Sequence, residues 1–481
     1  MLGKNMALLT DLYELTMMQG YFKNGDKNKI AVFDMFYRKN PYNGSYAIIA
    51  GLDQVIQYIN NLHFSKEDIL YLNSLGIFET DFLDYLSNFK FTGSIWSVPE
   101  GSIIFPQEPI VKVIGPIIEA QLIETALLNI VNFQSLIATK ASRVCFAAQG
   151  DEVMEFGARR AQGQDASVYG ARAAIIGGCS GTSNVLAGKL FDVPVKGTNA
   201  HSWVMRFSDE LSAFQKFTDV YSKNFTLISD TYDTLKSGIP NAIHVFNALK
   251  KKGIHPNFYG VRLDSGDLTY LSKEARDMFD RAGFSDASII GSSDLDEFSI
   301  TSLKSQGAEI THWAVGTSLI TSKGCSSFGG VYKLSAIQES GEIFSPKIKI
   351  SEDLEKATYP GNKKIFRIYD KKNGLICADL ICLENEYFRE DRDIVAVNPL
   401  NNNEKIELSF KDFNIKEQLI EIFCKGEKSY ISPSVWEIRE FCQKELKTLN
   451  FENRRLTNSQ KIPVLISEKL YTNKELLLSQ K

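Results

Sequence analysis

The 481-residue sequence contains little histidine and none of the cysteine patterns that mark a metal site or a disulfide framework. It has five histidines and seven cysteines, and the cysteines are scattered without CxxC pairs. An odd number of scattered cysteines argues against a disulfide-stapled secreted fold and against a structural zinc site. The composition therefore favours a reducing compartment, and we expect a cytoplasmic protein.

Long hydrophobic runs and a large excess of one charge are also missing. The sequence lacks a run of about 18 apolar residues, which a membrane-spanning helix needs, and its start lacks the basic-then-apolar pattern of a signal peptide. The net charge is −4, so no basic field attracts nucleic acid. We expect neither a membrane nor a nucleic-acid partner, and we interpret the lysine runs 250–252 and 363–364 as solvated surface.

The sequence does have ample apolar material for a globular core. Hydrophobic residues make up 44% and charged residues 23%, which is typical of a globular protein. Because a chain of this length exceeds one ordinary domain, we predict three. These are an N-terminal α+β domain (1–120), an α/β catalytic domain (121–340) and a small appended domain (341–481).

Short apolar runs alternate with helical segments through the middle of the chain. The strand candidates are 153–156, 174–181, 193–197, 225–230, 257–264, 287–293 and 311–316. Their spacing of about 20 to 30 residues is typical of βα units. About seven such units in a row favour an irregular, closed α/β barrel, with an open doubly wound sheet as the alternative. Outside this region we predict a helix over 8–22, a strand over 31–38 and a closing helix over 433–449.

Polar, glycine-rich segments follow all seven strand candidates. They are EFGARRAQ, SGTSN, GTNAHS, SDTYD, RLDSGD, GSSD and GTS. Reactive groups of α/β barrels lie at the C-terminal ends of the strands, so these segments predict one shared polar mouth. A single Gly-Ser turn is often only a helix cap. Three of them, SGTSN, GSSD and GTS, with Arg159 and Arg262 nearby, indicate a multiply phosphorylated ligand, because such turns present backbone N–H groups to anions. The GxxxxGK[ST] segment of a P-loop is missing.

His201, in VKGTNAHSWVM, is the main catalytic candidate. A neutral imidazole near pH 7 is a competent nucleophile towards phosphorus. Asp230, at the end of the next strand candidate, is expected to fix its tautomer. A structural role is the alternative, and no second histidine stands at zinc-ligand spacing.

RLDSGD places Arg262 and Asp264 two residues apart on a strand, so that both can face the mouth. The functional interpretation is an anion clamp beside a group that orients a sugar hydroxyl or a metal. The structural alternative is an ion pair, with Asp267 as a helix cap.

Seven motifs occur in order between residues 8 and 336. They are LLTDLYELTMMQGYF, EFGARRAQG, GGCSGTSNVLAGKLFDVPVKGTNAHSWVM, GVRLDSGDL, SSDLDE, AVGTSLIT and GGVYKLSA. Together they resemble the nicotinate phosphoribosyltransferase family. The resemblance implies an irregular barrel of the type II phosphoribosyltransferase kind, with an N-terminal α+β domain and a small C-terminal domain. It also implies a homodimer.

The resemblance implies an ATP-hydrolysing enzyme, classed as a ligase or a pentosyltransferase, in NAD biosynthesis or salvage. It joins nicotinate to phosphoribosyl pyrophosphate (PRPP), giving nicotinate mononucleotide and pyrophosphate, with Mg²⁺ as cofactor. ATP phosphorylates the histidine of the GT-x-AHS segment, here His201. Tyr13 and Phe156 would stack on opposite faces of the pyridine ring, with core packing as the alternative for both. Thr198 would hydrogen-bond nicotinate, and Arg262 would pair with the nicotinate carboxylate or with a phosphate.

The remaining roles concern phosphate, metal and substrate choice. Arg159 would hold phosphate, and Asp264 would bind ribose hydroxyls or Mg²⁺. The backbones of Ser292–Ser293 and Gly316–Thr317 would cradle the 5′-phosphate. The catalytic set implied in this way is His201, Asp230 and Asp264.

Ser183 bears on the choice between nicotinate and nicotinamide. Related nicotinamide-using enzymes place an aspartate after the matching Gly-Thr, where it would repel a nicotinate carboxylate. A serine can donate to that carboxylate, so nicotinate is favoured over nicotinamide as the substrate. Quinolinate phosphoribosyltransferase is a shorter chain and fits poorly. Two further hypotheses for the function are a Schiff-base aldolase with Lys196 as nucleophile and a catalytically inactive nucleotide sensor.

Overall fold

The structure is a computed structural model, which describes residues 5–338, 343–350, 358–399, 401 and 404–480. It divides into two compact units, residues 1–136 with 327–481 and residues 137–326. The division into three domains stays a prediction. Across the described ranges, no helix combines the length and the hydrophobicity needed to cross a membrane.

The first part of the chain forms short strands and helices, ending in one long helix. Helix α1 starts directly after Asp11, within the predicted segment, and β1 occupies the predicted strand almost completely. The elements are α1 (Leu12–Lys23), β1 (Ile30–Tyr37), β2 (Ala47–Ile48), α2 (Leu52–Asn60), α3 (Lys66–Ser74), α4 (Thr80–Ser87), β3 (Ser94–Ser97), β4 (Ile103–Ile104), β5 (Val111–Pro116), α5 (Ile117–Leu122) and α6 (Glu124–Ala147).

The middle of the chain alternates strands and helices, as the spacing of the apolar runs predicts. The elements are β6 (Glu152–Glu155), α7 (Gln164–Ile176), β7 (Gly181–Thr182), α8 (Val185–Phe191), α9 (His201–Met205), α10 (Glu210–Val220), β8 (Asn224–Ile228), α11 (Ile239–Lys251), β9 (Phe258–Leu263), α12 (Leu268–Ala282), β10 (Ser288–Gly291), α13 (Glu297–Ser305), β11 (His312–Val315) and α14 (Thr317–Ile320).

The last part of the chain is mostly strands, followed by helices. The elements are β12 (Gly330–Gln338), β13 (Phe344–Pro346), β14 (Lys363–Asp370), β15 (Ile376–Leu383), β16 (Ile394–Asn398), β17 (Glu404–Leu408), β18 (Phe413–Glu417), β19 (Ile420–Cys424), β20 (Glu427–Lys428), α15 (Val435–Lys447), α16 (Phe451–Arg454), β21 (Val464–Ser467) and α17 (Glu468–Ser479). The predicted helix over 433–449 is α15, but it does not close the chain, because β21 and α17 follow it.

The strands of the second unit form a parallel sheet in the order β7-β6-β11-β10-β9-β8. In a barrel each strand pairs with the next, and the last pairs with the first. Here β11, the last strand, pairs with β6, the first, and a parallel bridge from Thr182 to Val195 extends the sheet beyond β7. Between Val195 and β8 the described residues form no strand ladder, and the Ile228 N–H donates to Asn199 Oδ1 at 2.9 Å. The α/β class is confirmed, whereas complete closure of the barrel stays a prediction.

Two of the strand candidates are wrong in whole or in part. Ala174–Ile176 belong to the buried last turn of α7, and within the predicted strand 174–181 only Gly181 lies in a strand, the two-residue β7. Segment 193–197 contributes only the bridge at Val195. A short apolar run looks alike in a buried helix and in a buried strand. Gly177 ends α7 against α6, where a Cβ atom would lie 2.2 Å from the Ala138 carbonyl oxygen.

The first unit contains strands from both ends of the sequence. One sheet has the order β13-β12-β1-β5-β3-β19-β20 and another has the order β17-β16-β21-β15-β14-β18. The antiparallel pairing of β1 with β12 joins residues about 300 positions apart, since Ala31 lies opposite Ile337.

The lysines at 363–364 are buried, which makes their interpretation as solvated surface wrong. Lys363 forms an ion pair with Asp34 at 2.7 Å, and the two side chains are 3% and 4% exposed. Burial lowers the pKa of Lys363, although the charge of Asp34 opposes this shift. Lys364 lies 4.8 Å from the ring centroid of Tyr387. The run 250–252 is exposed, as predicted.

Arg367 is the centre of a buried ionic network in the first unit. Its Nε donates to Asp379 Oδ1 at 2.9 Å, its Nη1 to Glu445 Oε2 at 2.9 Å and its Nη2 to the Ile103 carbonyl oxygen at 2.7 Å. Burial, followed by the charge of Asp379, raises the pKa of Glu108 well above its usual range. The positive charge of Arg367 compensates the buried carboxylates of Asp379 and Glu445, which would otherwise be strongly destabilising.

Replacing Arg367 with methionine is expected to lower the free energy of unfolding by about 3–5 kcal/mol, because it leaves Asp379 buried without its cation. Denaturant unfolding of the variant and the wild-type chain measures the difference. The matched control is Lys405→Met, which breaks the exposed pair with Glu468 and should change stability by less than about 1 kcal/mol. An Arg367→Met variant no less stable than this control would contradict the argument.

Candidate active site

A cavity of about 550 Å³ opens at the C-terminal ends of the strands of the second unit. Its size lies within the range of roughly 300–1,000 Å³ that is typical of small-molecule sites. It brings together predicted residues from six separate loops. These residues are Phe156, Arg159, Ser183, Thr198, Arg262, Asp264, Ser292, Ser293, Gly316 and Thr317.

Arg262, near the end of β9, connects three of these loops. Its Nε donates to Ser292 Oγ at 2.7 Å, its Nη1 to Thr198 Oγ1 at 3.0 Å and its Nη2 to Asp264 Oδ1 at 2.6 Å. Only 14% of the side chain is exposed. A guanidinium that donates in three directions is held in one orientation, so its positive charge is fixed at the cavity wall.

Asp264 is held as a carboxylate between Arg262 and His201. Burial opposes its ionisation, but the hydrogen bond from Ser292 and the charge of Arg262 outweigh burial, so the pKa of Asp264 is lowered. Its Oδ2 lies 3.8 Å from His201 Nε2. The arrangement puts a stable negative charge beside the imidazole at neutral pH.

His201 is the first residue of α9, and 41% of its side chain is exposed. Its Nδ1 hydrogen-bonds with Thr231 Oγ1 at 3.1 Å. The predicted hydrogen bond from the His201 ring to the Asp230 carboxylate is not found among the described residues. Asp230 instead accepts from the Ser265 hydroxyl at 2.5 Å. Thr231 was not selected from the sequence as a partner of His201, although Thr231 directly follows Asp230 in SDTYD.

One side of the cavity is formed by the turn Ser292–Asp296 after β10 and by Gly316–Ser318, the first turn of α14 with its N-cap, after β11. They are called the 292–296 and 316–318 turns. The Ser318 hydroxyl donates to the Leu295 carbonyl oxygen and joins them directly. Ser293 has a φ of 112°, an unfavourable conformation for a non-glycine residue. A Cβ atom on Gly316 would lie 3.1 Å from the Phe156 carbonyl oxygen, so a side chain there would crowd the end of β6. Backbone N–H groups in turns of this kind can cradle an anion.

Phe156 and Ser183 are positioned by the end of β6. Phe156 lines the cavity and also packs against the apolar cluster that contains Met154. Its ring therefore contributes both to the cavity wall and to core packing. The buried Glu155 accepts from the Gly157 N–H and from Thr182 Oγ1, and burial raises its pKa. Its carbonyl oxygen accepts from the Ser183 N–H at 2.9 Å. Glu155 was not selected from the sequence. An acidic residue at the end of an apolar strand was the signal that could have indicated it.

Comparison with known proteins identifies the family. Residues 152–387 match the model described as nicotinate phosphoribosyltransferase (NAPRTase) family, and residues 8–132 and 362–474 match the models of its N-terminal and C-terminal domains. The nicotinate phosphoribosyltransferase of Bacillus subtilis is 46% identical over 471 residues, which cover 98% of this chain and 94% of that protein. The chain belongs to the nicotinate phosphoribosyltransferase family.

Nicotinate phosphoribosyltransferases from distant organisms share this similarity. The human protein of that name is 32% identical over 520 residues, covering 96% of this chain and 95% of that protein. The crystal structure of human nicotinic acid phosphoribosyltransferase matches with a TM-score of 0.85 and 29% identity, over 97% of this chain and 99% of that one. A nicotinate-nucleotide pyrophosphorylase from Pyrococcus furiosus, at 22% identity and a TM-score of 0.69, shows a shared fold. The resemblance drawn from the motifs is confirmed, and the chain is a phosphoribosyltransferase enzyme.

Some residues that line the cavity were not predicted to bind substrate. They are Arg160, Lys196, Asn199 and Asp294. Lys196, the aldolase candidate, forms an ion pair with Glu152, and its Nζ lies 3.2 Å from Ser180 Oγ. An ion-paired ammonium has no lone pair with which to form a Schiff base, so the geometry disfavours the aldolase hypothesis.

Tyr13 lies in the first unit, within the part of the chain that matches the nicotinate phosphoribosyltransferase N-terminal domain. It occupies the first turn of α1 and is 45% exposed. Desolvation and the nearby Glu124 raise the pKa of its hydroxyl, so Tyr13 stays protonated at neutral pH. Its role towards the pyridine ring stays a prediction.

Proposed function

We propose that this enzyme joins nicotinate to PRPP, forming nicotinate mononucleotide and pyrophosphate in NAD biosynthesis or salvage. In the proposed reaction, ATP hydrolysis is coupled through a phosphohistidine at His201. The observation that carries the proposal is the hydrogen-bonded group of Arg262, Thr198 and Asp264 beside that imidazole. It offers a fixed cation, a hydroxyl and a carboxylate within one polar cavity.

Nicotinate is proposed to bind at the end of the cavity between Phe156 and Arg262. The Arg262 guanidinium would pair with the pyridine carboxylate, and the hydroxyls of Thr198 and Ser183 would donate to it. Phe156 would stack on the ring. Since Ser183 carries no charge, a negatively charged substrate is not repelled from this wall, which favours nicotinate over nicotinamide.

The 5′-phosphate of PRPP is proposed to bind the 292–296 and 316–318 turns. The N–H groups of Ser292, Leu295 and Asp296 already donate within the protein. The remaining backbone N–H groups of the two turns, together with Arg159, would supply donors and positive charge to its oxygens. Asp264 would then lie near the ribose, where a carboxylate stabilises the positive charge that develops at the anomeric carbon.

His201 is proposed to take the γ-phosphoryl group of ATP on its imidazole, with ADP leaving. Its exposure allows the nucleotide to approach, and the hydrogen bond with Thr231 orients the ring. Asp264 would stabilise the positive charge on the imidazole as the new N–P bond forms. Release of that phosphoryl group as phosphate would couple ATP hydrolysis to transfer.

A Mg²⁺ ion fits this site only if the substrate supplies most of its ligands. Among the described residues no group of three or more His, Cys, Asp or Glu side chains is placed to hold a metal. Mg²⁺ is usually held by one or two carboxylates with substrate phosphates, and Asp264 fits that role. When bound, the ion would supply charge neutralisation to the leaving pyrophosphate.

We propose a homodimer on the basis of α1, and a cytoplasmic location on the basis of the scattered cysteines. Leu12, Tyr13 and Met17 are 54%, 45% and 39% exposed, although they are large and apolar. Exposed apolar side chains on one helix are typical of an interface. A second copy covering this helix would also bring Tyr13 close to a neighbouring molecule, consistent with its predicted role.

The decisive experiment is a turnover assay with nicotinate, PRPP and Mg²⁺, with and without ATP. We expect nicotinate mononucleotide in amounts that rise with ATP and match the release of phosphate. Nicotinamide in place of nicotinate tests the alternative function. Preferential use of nicotinamide would overturn the substrate assignment, and the absence of product from nicotinate, nicotinamide and quinolinate would overturn the proposed reaction.

A further inference from the structure

A buried ionic cluster lies at the start of α13 in the second unit. Lys140 and Arg143 of α6 both contact Glu297, and their side chains are 3% and 6% exposed, against 0% for Glu297. The Lys140 Nζ lies 2.5 Å from Glu297 Oε2, and the Arg143 Nε lies 3.1 Å from Glu297 Oε1. A buried cluster of this kind has a large desolvation penalty and is weak evidence for stability alone.

The position of Glu297 connects this cluster to the proposed phosphate site. Glu297 is the first residue of α13 and directly follows the 292–296 turn. Lys140 therefore holds the C-terminal end of that turn against α6.

Lys140 also holds the second turn. Its Nζ donates to the Lys323 carbonyl oxygen at 2.9 Å, and the Lys323 N–H donates to the Ser318 carbonyl oxygen at 3.0 Å. Ser318 is the last residue of the 316–318 turn. One ammonium group thus connects the segments that follow both turns, while the Ser318–Leu295 hydrogen bond joins the turns themselves.

We propose that Lys140 is a positioning residue for the 5′-phosphate of PRPP, acting through Glu297 and Lys323 without touching the substrate. The inference rests on the proposed function. A cradle of backbone N–H groups binds phosphate well only if its donors are held to within about half an ångström. Without the ammonium, the two turns lose the support that they share through Lys140 and remain joined by the Ser318–Leu295 hydrogen bond, so their donors converge less closely on one phosphate.

Lys140→Met is expected to raise the KM for PRPP by about 10- to 100-fold, in line with the effect of a small misplacement of binding groups. The KM for nicotinate and the kcat should change far less. Arg143 still pairs with Glu297 in this variant, so the carboxylate keeps a cation. Lys140→Arg, which retains a charged donor, should restore the KM for PRPP.

The matched control is Lys304→Met, on the last turn of the same helix as Glu297. It breaks an ion pair with Asp151 at 2.7 Å and should leave the KM for PRPP unchanged, even if it lowers the melting temperature. If Lys140→Met does not fold, Lys140→Gln is measured in its place. A folded Lys140 variant with an unchanged KM for PRPP, or an equal rise for Lys304→Met, would overturn the positioning role.

Calorimetric titration with PRPP separates this inference from the proposed function. A wild-type chain that binds PRPP but makes no product refutes the proposed reaction, and the Kd for PRPP of each Lys140 variant then decides the positioning role. Weaker binding by Lys140→Met but not by Lys304→Met supports it. A wild-type chain that does not bind PRPP overturns both.

Discussion

Replacing His201 with alanine is expected to abolish the ATP stimulation of nicotinate mononucleotide formation and the matching release of phosphate. The imidazole is 41% exposed and is oriented from one side by Thr231. Its other nitrogen faces the carboxylate of Asp264. Alanine removes the imidazole that would accept the γ-phosphoryl group of ATP. Product formation should therefore fall to the rate without ATP.

The measurement is turnover with and without ATP, combined with transfer of label from γ-labelled ATP to the protein. Wild-type chain should retain acid-labile label, and His201→Ala should retain none. His255→Ala, which changes an exposed histidine of the same unit, serves as the matched control and should keep ATP stimulation. Full ATP-dependent turnover by His201→Ala would refute the phosphohistidine.

Replacing Arg262 with alanine is expected to lower kcat/KM for nicotinate by about 100-fold or more, since it removes one partner of buried, charge-assisted hydrogen bonds. Three side chains, Thr198, Ser292 and Asp264, lose the guanidinium donor at once, and among the described residues Asp264 keeps only the hydrogen bond from Ser292. Arg262→Lys should recover little, because a single ammonium cannot donate along three fixed directions.

The pH dependence gives a second readout for Arg262. Its charge is one of the causes that lower the pKa of Asp264. Without the charge of Arg262, the pKa of Asp264 rises. When the solution is acidified, activity that needs the ionised Asp264 carboxylate should therefore be lost at a higher pH in the variant than in the wild-type chain. Steady-state kinetics across pH measure both effects. Arg281→Ala, which breaks an exposed helical pair, is the control. Near wild-type kcat/KM in Arg262→Lys would contradict the three-way contact.

Much of the site's composition could be predicted from the sequence, because the residues that form it follow strands. Once β9, β10 and β11 are parallel neighbours, the segments after them must meet at one edge of the sheet. Arg262, Ser292 and Gly316 are therefore brought together by topology alone. Their roles towards substrate stay predictions.

Contacts made by side chains from distant parts of the chain were not predictable in this way. Thr231, rather than Asp230, contacts His201 because the direction of each side chain depends on the turn after β8. From the sequence alone, the charged run at 363–364 indicates a surface segment. Only the fold brings Asp34 next to Lys363, and this ion pair allows the lysine to be buried. The apolar segment 174–176 is equally suited to a buried strand and to the buried helix that it forms.

The sequence by itself determined the family, the α/β alternation and most of the residues that line the cavity, because these depend on local motifs and on spacing along the chain. Only the tertiary structure decided that strands from the two ends of the sequence form one unit, as β1 pairs with β12. It also decided that the buried Lys140 supports both turns of the proposed phosphate site. Both features join residues that are more than 150 positions apart, and pairing at such separations depends on packing in three dimensions, which no local pattern records.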